Sequence, residues 1–62
     1  MKIKDFLQNF RGTNHIKIYD KFSFQTQRYN NVKNAINDYG YFTVQSWTME
    51  ENVLVITIQT QF

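Results

Sequence analysis

The fold is decided by a short stretch in the second half of the chain, VKNAINDYG, which covers residues 32–40. Its apolar side chains recur at the i, i+3, i+4, i+7 spacing of one helix face; they are Val32, Ala35, Ile36 and Tyr39. Asn30 or Asn31 can cap a helix that begins at Val32, and Gly40 ends it. A helix of about two and a half turns is not stable alone in water, so it must pack against the rest of the chain.

A second stretch, near the N-terminus, has the same pattern. Residues 3–12, IKDFLQNFRG, carry apolar side chains at Ile3, Phe6, Leu7 and Phe10 and end at Gly12. This spacing predicts a first helix over about residues 3 to 10. We expect Gly12 in the left-handed conformation that glycine favours just after a helix. Strand-like sequence follows each glycine, so the chain is interpreted as a helix and two strands, repeated once.

Four segments have the alternation or composition of β-strands. The clearest runs from residue 15 to Asp20 and turns Ile16 and Ile18 inward. The others lie within residues 23–29, at 41–48 and at 53 to about 59, with a turn at 49–52. Two-residue turn signals such as Asn-Gly are missing, which predicts longer turns. Residues 53–62 are uncharged and strongly β-prone, so we expect the last strand inside the sheet or against a second subunit.

Together these elements predict an α+β fold of order α-β-β-α-β-β. The expected architecture is a four-stranded, mainly antiparallel sheet with both helices packed on one face. The 62 residues leave room for a single domain, residues 1–62, and supply no cysteine for a disulfide. Because so short a chain rarely gains more than about 3 to 5 kcal/mol from its core, a homodimer is one expected source of further stability.

Composition argues against several classes of function. The net charge is +2 and the seven basic residues are dispersed, unlike the dense basic stripe of a dedicated duplex binder. With one histidine and five scattered carboxylates, the sequence predicts no metal site. It contains no glycine-rich loop, so it also predicts no cofactor. No nucleophile elbow is present, so we expect no catalytic residue and no enzyme. The N-terminus resembles neither a signal peptide nor a membrane span, which predicts a cytoplasmic protein without a membrane partner.

The candidate functional surface is the face of the sheet turned away from the helices, called here the open face. Alternation along the strands sends aromatic, valine and polar side chains to it, a mixture typical of the centre of protein interfaces. The predicted partner-binding residues are Lys17, Tyr19, Arg28, Tyr29, Tyr41, Gln45, Trp47 and Val55. The alternative is that an aromatic-rich small protein leaves some rings exposed, or uses Trp47 in its own core.

Two functions would use this open face. The first is a non-enzymatic protein-binding module, centred on Tyr19 and Trp47, that contacts another copy of itself or a host or phage protein. The second is a single-stranded nucleic-acid-binding protein, in which the rings stack on bases and Lys17, Lys21 and Arg28 contact phosphates. The thin positive charge and the lack of an RNP-type Gly-Phe-Gly-Phe run favour the first.

Several strand patterns also resemble a known group of proteins. The runs IKIYD at residues 16–20, VQSW at 44–47 and LVITI at 54–58 are similar to those of small uncharacterised proteins encoded by phages, prophages and conjugative elements of low-GC Gram-positive bacteria. Residues 21–31 lack the glycine-bearing second strand expected in that group. The resemblance implies an accessory protein that binds a host protein, for example an inhibitor of a host defence or replication enzyme. It transfers no activity and no functional residue.

Overall fold

The computed structural model describes residues 1–10 and 15–59. They form helices α1 (Ile3–Gln8) and α2 (Val32–Tyr39) and strands β1 (Ile16–Asp20), β2 (Gln25–Tyr29), β3 (Ser46–Glu50) and β4 (Val53–Ile58). The predicted α+β class and α-β-β-α-β-β order are confirmed. The strands make one sheet in the order β2-β1-β4-β3. Only β1 and β4 pair in parallel, and β4 lies inside the sheet as its uncharged sequence predicts.

The hydrophobic core lies between the central strands and the two helices. Its buried members are Ile3, Leu7, Ile16, Ile18, Ala35, Leu54, Ile56 and Ile58. Other residues of the two predicted helix stripes pack against this cluster but stay partly exposed; they are Phe6, Phe10, Val32, Ile36 and Tyr39. Because the buried strand residues share one side of the sheet, both helices lie on that side, as expected.

Helix α1 is shorter than the predicted range of residues 3 to 10. Its end tightens into i→i+3 hydrogen bonds, from Asn9 N–H to the Phe6 carbonyl at 3.3 Å and from Phe10 N–H to the Leu7 carbonyl at 3.2 Å. Phe10 still stacks on Phe6, with ring centroids 6.0 Å apart. The left-handed conformation predicted at Gly12 lies outside the described residues.

The first turn of α1 is attached to the segment that follows α2. No side chain caps this turn, and its N–H groups donate to backbone carbonyls instead, from Ile3 to Phe42 at 2.9 Å and from Lys4 to Gly40 at 3.0 Å. The N–H of Val44 donates to the carbonyl of Met1 at 2.9 Å. The bonds from Ile3 and Lys4 satisfy donors that a helix start leaves without a partner, and all three bonds fix α1 beside the end of α2.

Helix α2 has the ends predicted from the sequence. Asn31 is the N-cap, and its side-chain oxygen accepts from the Lys33 N–H at 2.7 Å. Gly40 follows the last helical residue with φ −56° and ψ −31°, which is right-handed backbone that any residue adopts. A Cβ at Gly40 would instead overlap the carbonyl oxygen of Ile36. Glycine is therefore required here by close approach and not by a positive φ.

Strand β3 begins at Ser46 and not at Tyr41, where the sequence predicted its start. The backbone before it pairs with the N-terminus, through an antiparallel bridge between Lys2 and Thr43. Gln45 N–H donates to the Thr57 carbonyl at 2.9 Å, and Ser46 is the residue that faces Thr57. Two residues of one strand thus face one residue of β4, which is the arrangement of a β-bulge.

This bulge reverses the side-chain alternation that the sequence predicted. Val44 packs against the core as expected, and strict alternation from Val44 would send Trp47 to the open face. One extra residue moves every later side chain to the other side of the sheet. Trp47 accordingly lies opposite the buried Ile56, on the side of the helices.

The hairpin between β3 and β4 has a loop of two residues, Glu51 and Asn52, so the longer turn predicted at residues 49–52 is wrong. Both have positive φ, 49° and 69°, as a type I′ turn requires. Such turns strongly prefer Asn-Gly, and glutamate is costly in the left-handed region. The sequence signal is missing because this turn is built from an unfavourable residue.

A buried carboxylate orders the turn between β1 and β2. Asp20 is 8% exposed and accepts hydrogen bonds from the Phe22 N–H at 3.0 Å and from the Ser23 hydroxyl at 2.8 Å. The Phe24 N–H donates to the Asp20 carbonyl at 2.8 Å, and Phe24 has φ 60°. The side chain of Asp20 thus holds a turn that contains no glycine or proline.

The close approach at Gly40 predicts the effect of adding one methyl group. We expect Gly40→Ala to lower the free energy of unfolding by about 1 to 3 kcal/mol, because the new Cβ forces α2 and its following segment apart. Urea unfolding measures this change. Asn37→Ala, on the exposed side of α2, is the control and should be neutral or slightly stabilising. Equal stability of Gly40→Ala and the wild type would contradict the steric explanation.

The unfavourable turn predicts a stabilising substitution. Replacing Glu51 by Asn and Asn52 by Gly gives the preferred type I′ pair at two positions of positive φ. The double variant should gain about 1 kcal/mol in free energy of unfolding. Asn37→Gly, which places glycine inside α2, should lose a few tenths of a kcal/mol in the same urea experiment, because asparagine is itself a poor helix former. The idea fails if both glycine variants shift stability in the same direction.

Candidate functional site

The structure separates the predicted partner-binding residues into three groups. Lys17, Tyr19, Arg28 and Val55 lie on the open face, while Tyr29 and Trp47 lie on the helix side near opposite edges of the sheet. Tyr41 and Gln45 belong to the segment between α2 and β3. The expectation that Tyr29, Tyr41 and Trp47 share one surface with Tyr19 is therefore wrong. Partner binding by any of these residues stays a prediction.

The open face includes two adjacent rows of side chains that cross all four strands, with Val53 and Glu50 beyond the first row. One row is Arg28, Lys17, Val55 and Thr48, and the next is Thr26, Tyr19, Thr57 and Ser46. Tyr19 is the one aromatic side chain in these rows, and every side chain of the second row carries a hydroxyl group. Without Trp47, this face lacks the aromatic centre on which the predicted interface depended.

Two basic side chains lie directly opposite each other on the open face. Lys17 is the cross-strand partner of Arg28, and like charges in that position repel. Neither forms an ion pair with a residue in 1–10 or 15–59. A depression of about 600 Å³ adjoins them and extends towards Glu50 and Glu51 at the β3–β4 turn. These carboxylates offset much of the positive charge around it.

A second surface, called here the edge patch, consists of Phe6, Phe10, Trp47 and Met49. The Phe6 ring packs on the indole of Trp47 with centroids 5.5 Å apart and on Phe10 at 6.0 Å. Trp47 is nevertheless 52% exposed and Met49 41% exposed. Both project from β3 on the helix side, opposite the buried Ile56 and Leu54. The edge patch is thus a continuation of the core that reaches solvent.

The edge patch lies beside a strand that is exposed along its whole length. All five residues of β3 are exposed, and β3 is the last strand on its side of the sheet. Large exposed apolar side chains next to an unpaired strand edge are typical of surfaces that bind another chain. Sequence reasoning missed this surface because it placed Phe6 and Phe10 in the core and Met49 in a turn. No pattern in the sequence predicts the bulge that places Trp47 beside Phe6 and Met49.

At the opposite edge of the sheet, the last residue of β2, Tyr29, contacts α2. Tyr29 packs edge-on against Tyr39 with centroids 6.3 Å apart, and its hydroxyl donates to Asp38 at 2.8 Å. Partial burial, followed by this hydrogen bond and the negative charge of Asp38, raises the pKa of Tyr29 above its ordinary value. Tyr29 therefore has a structural contact and is less available for a partner than Trp47.

Tyr41 and Gln45 occupy the segment that carries the N-terminal bridge. Tyr41 is 76% exposed, and the Lys4 ammonium lies 4.9 Å from its ring centre in a cation–π contact. Gln45 supplies the extra residue of the bulge. Gln45 and Ser46 both face Thr57, so Gln45 adjoins the end of the second row of the open face. Tyr41 lies outside the strands and contacts Lys4 instead.

A hydrolytic triad would need Ser23 or Ser46 beside both His15 and Asp20. Ser23 donates to Asp20 at one end of β1, whereas His15 precedes the other end, about 16 Å away for a strand of this length. Across residues 1–10 and 15–59, no three His, Asp or Glu side chains are grouped to hold a metal ion. No helix in the same residues is long and apolar enough to cross a membrane.

Comparison with known proteins gives no relative for this chain. No family model matches it, and neither the curated proteins nor the solved structures searched contain a similar protein. The case for a function therefore rests on the geometry of the described residues.

The environment of Tyr29 predicts an alkaline loss of stability. The folded protein holds the phenol proton more tightly than the unfolded chain, whose tyrosine pKa is about 10. The contribution of Tyr29 is complete below pH 10 and declines as the pH rises above it. Tyr29→Phe should remove this decline and cost at most about 1 kcal/mol at neutral pH. Urea unfolding at pH 7 to 11 measures both effects.

The control for this experiment is Tyr41→Phe, which changes an exposed ring beside Lys4. It should keep the alkaline decline of the wild type. A decline that persists unchanged in Tyr29→Phe would assign it to another group.

Proposed function

We propose that this chain is a non-enzymatic protein-binding module that acts through the edge patch beside β3. The observation that carries the proposal is the exposure of Trp47 and Met49 on an unpaired edge strand, with Trp47 held by Phe6. Tryptophan dominates the energy of many protein interfaces, and a ring already fixed by a neighbour loses little conformational freedom on binding. The edge backbone can add hydrogen bonds to a partner strand.

Charge supports a protein partner for this surface. The side chains of the edge patch are uncharged, and the nearest acidic residue on β3 is Glu50. None of these four side chains offers a cation to a phosphate backbone. A hydrophobic contact of this kind depends only weakly on salt, since screening acts on charges.

The resemblance of the strand patterns extends the proposal to a biological setting. Small accessory proteins of phages and conjugative elements commonly act on host proteins, which makes a host protein a natural partner. In its most specific form, the chain inhibits a host defence or replication enzyme. That form depends on the resemblance, whereas the protein-binding function depends on the edge patch.

The second candidate function is single-stranded nucleic-acid binding on the open face. Its favourable observation is that two cations, Lys17 and Arg28, lie opposite each other in the row next to the Tyr19 ring and form no ion pair within residues 1–10 and 15–59. A phosphate placed between them would relieve their repulsion. One aromatic ring is a small stacking platform, however, and Glu50 and Glu51 reduce the positive potential at the adjoining depression.

One experiment separates the two functions by variants on opposite faces of the sheet. The tagged protein is incubated with lysate of a low-GC Gram-positive bacterium and, separately, with a fluorescent single-stranded oligonucleotide. Trp47→Ala and Met49→Lys should each reduce capture of the bound protein at least about tenfold, which corresponds to about 1.4 kcal/mol. The double variant Lys17→Glu with Arg28→Glu should leave capture unchanged at low and high salt.

The far-ultraviolet circular dichroism of each variant checks that it is folded. Oligonucleotide binding that falls steeply with salt and disappears in the Lys17→Glu, Arg28→Glu variant would favour the second function. Capture that survives both edge-patch substitutions would overturn the first.

A further inference from the structure

We propose that β3 pairs antiparallel with β3 of a second copy of this chain, with Thr48 on the two-fold axis. The inference rests on the proposed function, because it names a second copy as the partner of the edge patch. The product would be a continuous eight-stranded sheet in which β3 is no longer an edge. Because directly opposed residues in a β-ladder share a face, the helices of both copies would lie on one side.

The two edges of the sheet differ in their protection against such pairing. Edge strands that avoid association carry lysine, proline or a covering element. Strand β2 has Arg28 and is attached to α2 through Tyr29 and Asp38. Neither strand has lysine or proline, but β3 exposes the apolar side chains Trp47 and Met49, and its only charge is Glu50 at the end. The edge that favours association is therefore β3.

The two-residue turn determines which backbone groups of β3 are free. Residues that flank such a turn form a hydrogen-bonded pair, here Glu50 and Val53. Every second residue towards the N-terminus, Thr48 and then Ser46, bonds to β4 in the same way. The N–H and C=O groups of Trp47 and Met49 therefore point away from the sheet and are available to another strand.

A two-fold axis at Thr48 uses all of these groups. It places all five residues of β3 opposite a residue of the second copy. Trp47 of each copy then faces Met49 of the other, and each such pair exchanges two backbone hydrogen bonds. No other symmetric register pairs the whole strand. An axis at Met49 would place Glu51 of the turn against Trp47, and an axis at Trp47 would place Met49 against Gln45 at the bulge.

The side chains are complementary in the same register. Trp47 of one copy lies beside Met49 of the other, which gives a favourable sulfur–aromatic contact and joins the two edge patches. Glu50 faces Ser46, whose hydroxyl can donate to the carboxylate, so no like charges oppose each other. The threonines at the axis meet on the open face, where threonine pairs are favourable across strands.

Sedimentation velocity of the full chain tests the association. The wild type should be dimeric at about 1 mM, the concentration at which even a weak association of about 4 kcal/mol is half formed. Met49→Lys places like charges in the contact and should weaken dimerisation at least about tenfold. Gln27→Lys makes the same charge change on the helix side of β2 and should leave the dimer intact. Met49→Pro removes one outward N–H without breaking a bond to β4 and should also give monomers.

Cysteine cross-linking tests the register, since the chain has no cysteine of its own. In the proposed dimer the two Thr48 Cα atoms form a non-hydrogen-bonded pair about 4.5 Å apart, which a disulfide can span. The two Ser46 residues are four positions out of register, about 13 Å apart. Thr48→Cys should therefore cross-link on mild oxidation at low concentration, and Ser46→Cys should not.

Each contrary result has a definite meaning. A wild type that is monomeric at about 1 mM overturns self-pairing. If that monomer still captures a protein through Trp47, the proposed function stands; if it captures none, both proposals fail. A dimer that persists in Met49→Lys uses another surface, and cross-linking by Ser46→Cys instead of Thr48→Cys rejects the register.

Discussion

The parallel pairing of β1 with β4 is the contact on which the rest of the structure depends. It brings Ile16 and Ile18 against Leu54 and Ile56, and these four buried residues form the floor on which both helices pack. The pair is held at its ends by bonds outside the ladder, from Leu54 N–H to the His15 carbonyl at 2.9 Å and from Lys21 N–H to the Ile58 carbonyl at 3.0 Å. The outer strands and the helices are arranged around this pair.

This arrangement explains why the edge patch and the open face would bind a partner through different interactions. The inner strands are covered on one face, but α1 is only six residues long and reaches β3 through a single aromatic contact. A short helix cannot cover the full width of a four-stranded sheet. The apolar surface that the helices do not cover therefore lies at β3, whereas the open face carries hydroxyl groups and two opposed cations. Binding to the edge patch would bury apolar area, and binding to the open face would neutralise charge.

The periodic parts of the fold were predictable from the sequence. The spacing in residues 32–40 identified α2, with Asn30 or Asn31 as its cap, and the alternation around Ile16 and Ile56 identified strands β1 and β4. These features recur over several residues, so a single exception does not hide them. The order of the elements followed from the same patterns.

The candidate site was not predictable, because it depends on isolated backbone features. One extra residue at Gln45 changed the side of the sheet on which Trp47 lies, and neither glycine nor proline marks that bulge. The turn at Glu51 and Asn52 adopts positive φ with a residue that usually avoids it. In both places hydrogen bonding to β4 and packing of the core outweigh local preference. At these two places a single sequence indicates only the local backbone preference of each residue.

The parallel central pair also has a consequence for how the chain reaches its native state. Ile16 lies beside Leu54, so the most buried contact joins segments near the two ends of the described chain. Hairpins β1–β2 and β3–β4 can close locally, but the loop between them must be ordered before their apolar faces meet. Topologies dominated by such distant contacts fold slowly for their size. Until the two hairpins meet, the apolar residues of the uncharged strand β4 are exposed to other unfolded chains, so a high concentration of refolding protein favours aggregation over folding.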